Sequence, residues 1–487
     1  MQMRVWRAFS IVLALLGSLS AHSGPSPAEA AGGAQLAEEP VGWGPCSHTA
    51  TSLEYSPDAV VLDPGELVRA ESGLIFSAYN GKGGLDLWKS IGPERAGTLR
   101  VKDFTPLLAD LSPLEPTRVG TRVFFTAEAP EHGRELWVTD GTPEGTREVK
   151  DLWPGPIGSF PQSLFEFNGL LYFSAVDEKN GQELWRSDGT AEGTFLVEDL
   201  EPGVEGSSPQ SLTLGGGGSL YFVVERGSYR VLMWSNGEAG AVELFRVDEM
   251  NTLESLTLVG RRLFFLTASM HDHMTELWMT DGGQPVLLKM FSEVHELATM
   301  GGRLYLSASS MEDPAGVELW RSDGTAAGTL RVKDLRLGAE ASMPQSFTVL
   351  GRRIFFSADD GVHGRELWVS DGTAAGTQLF EDLLVGEMGS SPEVLTAIQG
   401  HLFFYANKEG SGRTPWMSDG TMEGTLPIEG PTAEAHTSEM QALPSGEFMR
   451  SGWNVFFTAE DGPRGQKLWA LPFRPAGRCP IATPPAP

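Results

Sequence analysis

Only two cysteines occur in 487 residues, Cys46 and Cys479, and both stand just outside the repeated part of the sequence. A dense disulfide framework and a cysteine-rich metal site are therefore excluded. Cationic side chains are also scarce: 36 Lys and Arg face 64 Asp and Glu, giving a formal charge of −28. A field of that sign repels phosphate backbones and anionic lipid, so neither nucleic acid nor a membrane surface is expected as a partner. Helical periodicity is missing from the body of the chain, and no G-x-S-x-G elbow, H-E-x-x-H pair or phosphate loop is found. The segment LGGGGS, residues 214–219, matches a phosphate loop only in composition and reads as a lengthened hairpin.

The N-terminus, MQMRVWRAFSIVLALLGSLS, places Arg4 and Arg7 ahead of a short apolar run, with Ala28-Glu29-Ala30 as a small-x-small cleavage site. This pattern predicts a secretory signal peptide over residues 1–30, with a retained membrane anchor as the competing reading. A flexible linker over 31–46, a repeat domain over 47–478 and a tail over 479–487 complete the expected organisation. No further span follows, so no stable membrane span is expected after cleavage. The protein is expected to be secreted, periplasmic or cell-surface, where Cys46 and Cys479 would pair and staple the two ends together.

What fills the chain is a repeat. Aligned tryptophans stand at 88, 137, 185, 234, 278, 320, 368, 416 and 469, at spacings of 42 to 53 residues. Around Trp368 the unit divides into SFTVL, RIFFSAD, ELWVS and TQLFED, four strand-like segments separated by turn residues. Four strands in about 45 residues is the size of a β-propeller blade. The expected fold is all-β, a single large β-propeller of eight or nine four-stranded blades; two smaller rings in tandem or a long β-solenoid are the alternatives. The ninth unit lacks its fourth strand, and the segment DAVVL, residues 58–62, is expected to supply it from the N-terminal side. The units around Trp234 and Trp278 are degenerate, with shortened turn regions.

The residues E-L-W-x-S-D-G-T-x-x-G-T-x-x-V-K-D-L, best kept at Trp137, Trp185, Trp320 and Trp368, resemble the exported bacterial family named for its ELWxxDGT repeat. That family occurs as multi-copy arrays in myxobacteria and their relatives. The resemblance covers nearly the whole mature chain and implies propeller arrays without an established activity. The copies at Trp88, Trp234 and Trp416 depart from the pattern.

Each D-G-T reads as a hairpin device between strands three and four. Gly372 would take positive φ and Asp371 would accept backbone amides, as would Asp140, Asp188, Asp281, Asp323 and Asp419; repeated calcium sites are the alternative. The Glu of each E-L-W, such as Glu366, is expected to be hydrogen-bonded within the blade stack. In an up-and-down blade the two-to-three loops and the inter-blade loops share one face, opposite the D-G-T turns. That face gathers Glu128, Glu131, His132, Asp177, Glu178, Asp359, Asp360 and His363 as candidate binding residues. In the fifth unit His271, Asp272 and His273 form a candidate metal cluster, if an extended backbone aims both imidazoles the same way. No cofactor is required, and calcium is the ion that such carboxylates would suit. The expected function is a monomeric, non-enzymatic binding or scaffold module whose ligand is an extracellular polysaccharide or another envelope protein. A secreted glycan hydrolase or lyase using paired acidic loop residues is the alternative.

Overall fold

The computed structural model describes residues 42–479, apart from 54–61, 72, 80–84, 93–96, 105–113, 130, 410–411, 432–446, 461–465 and 477. The signal-peptide assignment lies outside these residues. Among the described residues no helix is long and apolar enough to cross a membrane.

Nine antiparallel sheets follow one another along residues 40–487, which form one compact unit. They are the blades of a single nine-bladed β-propeller. Blade 7 is representative: strand one is Gln345–Leu350, strand two Arg353–Asp359, strand three Arg365–Ser370 and strand four Gln378–Glu381, hydrogen-bonded in that order. Strand two is an aromatic and β-branched run because both of its faces are covered; Ile354, Phe355 and Phe356 are fully buried. Its alternate side chains belong to different cores. Phe356 lies in a cluster with Tyr305 and Leu319 of blade 6, whereas Phe355 lies in one with Leu402 and Phe404 of blade 8.

In every blade but the fourth the motif tryptophan leans on the preceding blade; in blade 4 Met233 takes that place and Trp234 turns toward blade 5. Trp368 packs with blade 6, Trp416 with blade 7 and Trp469 with blade 8. Trp88 of blade 1 packs with Phe456, Leu468 and Ala470 of blade 9. That last contact closes the circle, and the choice between eight blades, two rings and nine blades is resolved as nine in one ring.

Closure uses the N-terminus, but not the segment the sequence suggested. Trp43–Pro45 and Thr51–Ser52 pair antiparallel with Gln466–Pro475, the third strand of blade 9, with Trp43 opposite Pro475 and Thr51 opposite Ala470. The only described residue of DAVVL is Leu62, and it begins the first strand of blade 1, Leu62–Ala70. Residues 58–61 lie outside the described set. The ring therefore begins inside the expected linker, at residue 43. The disulfide is present, with Cys46 and Cys479 bonded and their Cα atoms 5.3 Å apart.

Candidate functional face

The D-G-T turn can be read atom by atom in blade 7. Asp371 Oδ1 accepts the Thr373 amide at 2.8 Å and the Thr373 hydroxyl at 2.7 Å. The Thr377 hydroxyl donates to the Thr373 carbonyl at 2.7 Å, so the proton between Ser370 Oγ and Thr377 Oγ1, 2.7 Å apart, comes from Ser370. Ser370 Oγ in turn accepts the Gly372 amide at 2.9 Å. Gly372 has φ +86°, and a Cβ there would lie 2.1 Å from the Tyr305 hydroxyl of blade 6. A Cβ on Gly376 would lie 2.1 Å from Asp371 Oδ1. Only glycine fits at either point.

The same turn is an acceptor for its neighbour. Arg321 of blade 6 donates to the Gly372 carbonyl, and Lys333 Nζ donates to the Thr377 carbonyl at 2.6 Å. Lys150 and Thr194 repeat the second contact between blades 2 and 3 at 2.7 Å. Asp140, Asp188, Asp323 and Asp419 repeat the aspartate–threonine geometry. Asp281, in a shortened turn, accepts only the Gly283 amide, at 3.3 Å. The threonine hydroxyl holds Asp371 below the usual carboxylate range. The motif is a turn and an inter-blade latch.

The glutamate of E-L-W has a different task. Glu366 is fully buried and accepts the amides of Leu383 and Leu384 at 3.1 Å each and that of Ser390 at 2.7 Å. It thereby folds the loop between blades 7 and 8 down onto the third strand. Glu135, Glu183 and Glu318 hold their own loops in the same way. Burial pushes the carboxyl groups of all four upward, that of Glu135 to about 7, against the opposing pull of the bonds they accept.

The loop face is assembled as the strand order requires. Two-to-three loops and inter-blade loops meet there, through bridges joining Arg134 to Gly158, Gln182 to Gly206 and Arg365 to Gly389. The candidate residues fall on blades 2, 3 and 7, where His132, Asp177, Asp359, Asp360 and His363 are engaged locally. In blade 2, His132 Nδ1 lies 2.9 Å from Glu148 Oε2, which pushes the imidazole pKa up, while Glu131 is exposed and Glu128 ends in the second strand. In blade 3, Asp177 accepts the amides of Lys179 and Asn180 at 2.8 and 2.5 Å, and Glu178 is exposed. In blade 7, Asp359 accepts from Arg336 at 2.8 Å, and Asp360 accepts the amides of Val362 and His363 at 2.9 Å each. His363 Nδ1 is 2.7 Å from Asp360 Oδ2, and that contact raises its pKa.

The HDHMTE segment does not have the backbone assumed for it. Residues 270–272 form a turn, and His273 sits in the left-handed region at φ 57°. Asp272 accepts the Met274 amide at 3.1 Å. Alternation along an extended strand therefore does not align His271 with His273. Among the described residues no group of three or more His, Cys, Asp or Glu side chains is placed to hold a metal ion.

Sequence reasoning passed over the tips of the inter-blade loops, which carry exposed apolar side chains: Leu337 is 84 % exposed, and Val385 and Met388 are each 87 % exposed. The signal was present in DLRLGAE and DLLVGEM, where apolar residues follow the leucine that packs inward, Leu335 or Leu383.

No protein-family model and no curated protein matches the chain. Among solved structures it is similar to a puromycin hydrolase mutant complexed with PGG, at 16 % identity and TM-score 0.38, over 72 % of this chain and 57 % of that one. It is also similar to a structure from a study of two prolyl endopeptidases, at 12 % identity and TM-score 0.39, over 74 % of this chain and 55 % of that one. The β-propeller domain of the trilobed protease from Pyrococcus furiosus aligns at 10 % identity and TM-score 0.36, over 65 % of this chain and 97 % of that domain. The chain thus spans little more than half the length of the first two. At these values the likeness says nothing about activity.

Proposed function

We propose that the protein is an exported, non-enzymatic binding module of the ELWxxDGT-repeat kind, which takes an extracellular polysaccharide or another envelope protein on its loop face. The observation that carries this reading is the division of labour in the repeat. The polar side chains of the motif are engaged in turn, latch and loop-holding bonds, so the loops that differ from blade to blade are left to specify a ligand. Export is supported by the signal-like N-terminus and by a disulfide suited to an oxidising compartment, whether periplasm, cell surface or medium. A monomer fits a ring whose last blade is completed by its own N-terminal strands.

The test is retention of the purified protein on a panel of bacterial envelope polysaccharides, in calcium and again in chelator, with released sugars assayed in the same wells. Retention without sugar release supports the module, and loss in chelator adds calcium as a ligand of the acidic loops. Sugar release overturns it in favour of a glycan hydrolase or lyase using paired carboxylates. No retention removes polysaccharide and leaves a protein as ligand.

A further inference from the structure

Five exposed apolar side chains stand on one continuous run of loops across blades 6 to 8. Met311 lies in the two-to-three loop of blade 6, Leu337 in the loop from blade 6 to 7, Val362 in the two-to-three loop of blade 7, and Val385 and Met388 in the loop from blade 7 to 8. These loops touch in sequence. The Met343 amide donates to the Val317 carbonyl at 3.1 Å, the Asp359 amide to the Ser342 carbonyl at 2.9 Å, and the Ser391 amide to the Arg365 carbonyl at 2.9 Å. The positions a Cβ would take on Gly361 and Gly364 lie 3.3 Å from Arg336 Nε and 2.5 Å from the Glu387 carbonyl oxygen, respectively. Solitary exposed apolar residues are ordinary, but this many on adjoining loop tips form a surface. They do not serve the core, and Glu318 and Glu366 hold the loops that present Leu337, Val385 and Met388 in fixed positions.

The charge around them is predominantly negative. Arg336 is the sole Lys or Arg on these loops, and it is held by Asp359 at 2.8 Å with Glu340 at 3.9 Å. Glu340 and Glu387 are exposed beside the tips of Leu337 and Met388. An apolar run rimmed by carboxylates complements a partner that brings apolar side chains among cationic ones. A neutral or anionic polysaccharide meets neither requirement.

We propose that this arc, on blades 6 to 8, docks a basic polypeptide segment bearing apolar side chains. The proposal rests on the binding-module reading and narrows its ligand to a cationic protein.

The probe is a fluorescent fourteen-residue peptide of lysine and leucine in amphipathic order, titrated against the purified full chain by anisotropy. A peptide of equal charge with serine in place of leucine measures the purely electrostatic part. The expected result is that the lysine–leucine peptide binds and that the serine peptide binds about tenfold more weakly or less. The combined variant Leu337→Ser, Val385→Ser, Met388→Ser should lose about tenfold or more in affinity at an unchanged melting temperature, since each tip contributes on the order of 1 kcal/mol on burial. Met422→Ser, at an exposed position on the opposite face, should bind as the parent does. Absence of binding, equal binding of both peptides, or full binding by the triple variant overturns the proposal. If polysaccharide is retained while the peptide is not, this inference fails and the binding-module reading stands; if neither is retained, this inference fails and the module is left with an envelope protein of other chemistry as ligand, whereas sugar release overturns the module itself.

Discussion

Ser390 donates its hydroxyl to Glu366 at 2.5 Å, 24 residues ahead of it in the chain, and the same separation joins Ser159 to Glu135, Ser207 to Glu183 and Ser342 to Glu318. The pair is a loop anchor written into the repeat. It is present in blades 2, 3, 6 and 7; the same position holds Asp86 in blade 1 and Thr414 in blade 8, and it is altered where the inter-blade loop is gone. Blade 4 connects to blade 5 through residues 249 and 250 alone, and the anchor position, opposite Val224, holds Val231. Blade 5 connects to blade 6 through Ser292 alone, and Glu276 is redirected to Thr267 and the Trp278 indole.

Replacing Glu366 with alanine should leave the amides of Leu383, Leu384 and Ser390 without their acceptor. A loss of about 2 to 4 kcal/mol is expected, because unpaired buried donors lose solvation without compensation. Glu366→Gln should fall between, since an amide nitrogen cannot accept from the donors on its side. Thermal unfolding gives the size of the effect, and limited proteolysis should cut within residues 382–390 first. An alanine variant that melts and resists protease like the parent would refute the anchor.

Glu135 makes stability depend on pH. Its folded-state pKa is pushed up by burial to about 7, above the unfolded value, so the folded chain holds a proton that the unfolded chain has released. Stability is then greatest below the unfolded value and falls as pH rises through about 7, by on the order of 1 to 3 kcal/mol for this group. The raised carboxyls of Glu183, Glu318 and Glu366 and the raised imidazoles of His132 and His363 act in the same direction. Melting temperatures between pH 5 and 8 should decline, and Glu135→Gln should flatten the slope whatever its absolute stability. A rising profile, or an unchanged slope in the variant, would contradict this account.

At the D-G-T turn two neighbouring substitutions should differ in size. Asp371→Ala removes two local bonds from an exposed turn and should reduce stability by about 1 kcal/mol. Gly372→Ala puts a Cβ at φ +86° and against the Tyr305 hydroxyl, so it strains the turn and pries blade 6 from blade 7. Roughly 2 to 4 kcal/mol is expected. Neither should change ligand retention, because the turn lies on the face opposite the loops. Paired melting curves and retention assays check both, and equal effects of the two substitutions would refute the close-approach argument.

Much of this fold could be read from the sequence because a blade is a local object. Strand lengths, the tryptophan period and turn residues such as Asp371 and Gly372 all lie within one unit of the repeat. What could not be read depends on the neighbouring blade. Nothing in SDGT says that its carbonyls receive Arg321 and Lys333, although the recurrent lysine of V-K-D-L was a trace of it. The closing strand was misplaced because DAVVL has good β-propensity, whereas the residues that pair, Trp43–Pro45 and Thr51–Ser52, are too short and polar to stand out. The short periods around Trp234 and Trp278 come mostly from missing inter-blade loops and only slightly from the turns, a distinction the spacing alone does not contain. His271 and His273 failed as an aligned pair because one left-handed residue cancels the alternation of a strand.

The Cys46–Cys479 disulfide holds the most easily detached part of the ring. Trp43–Pro45 and Thr51–Ser52 are short, and they are the strands that cover the outer edge of Gln466–Pro475 in blade 9. The bond spans 433 residues, so cutting it frees the unfolded chain considerably, and a loss of about 2 to 5 kcal/mol is expected for Cys46→Ser. Unfolding of the variant should start at this seam. Hydrogen exchange at Leu53, whose amide donates to the Leu468 carbonyl at 2.9 Å, should accelerate before exchange in the second strand of blade 7. With its edge uncovered, blade 9 becomes a template for another chain, and the variant should aggregate on warming where the parent remains dispersed. Intact mass should show the parent lighter than its reduced form by two hydrogens. If reduction leaves both the melting temperature and the exchange at Leu53 unchanged, pairing and packing alone close the ring.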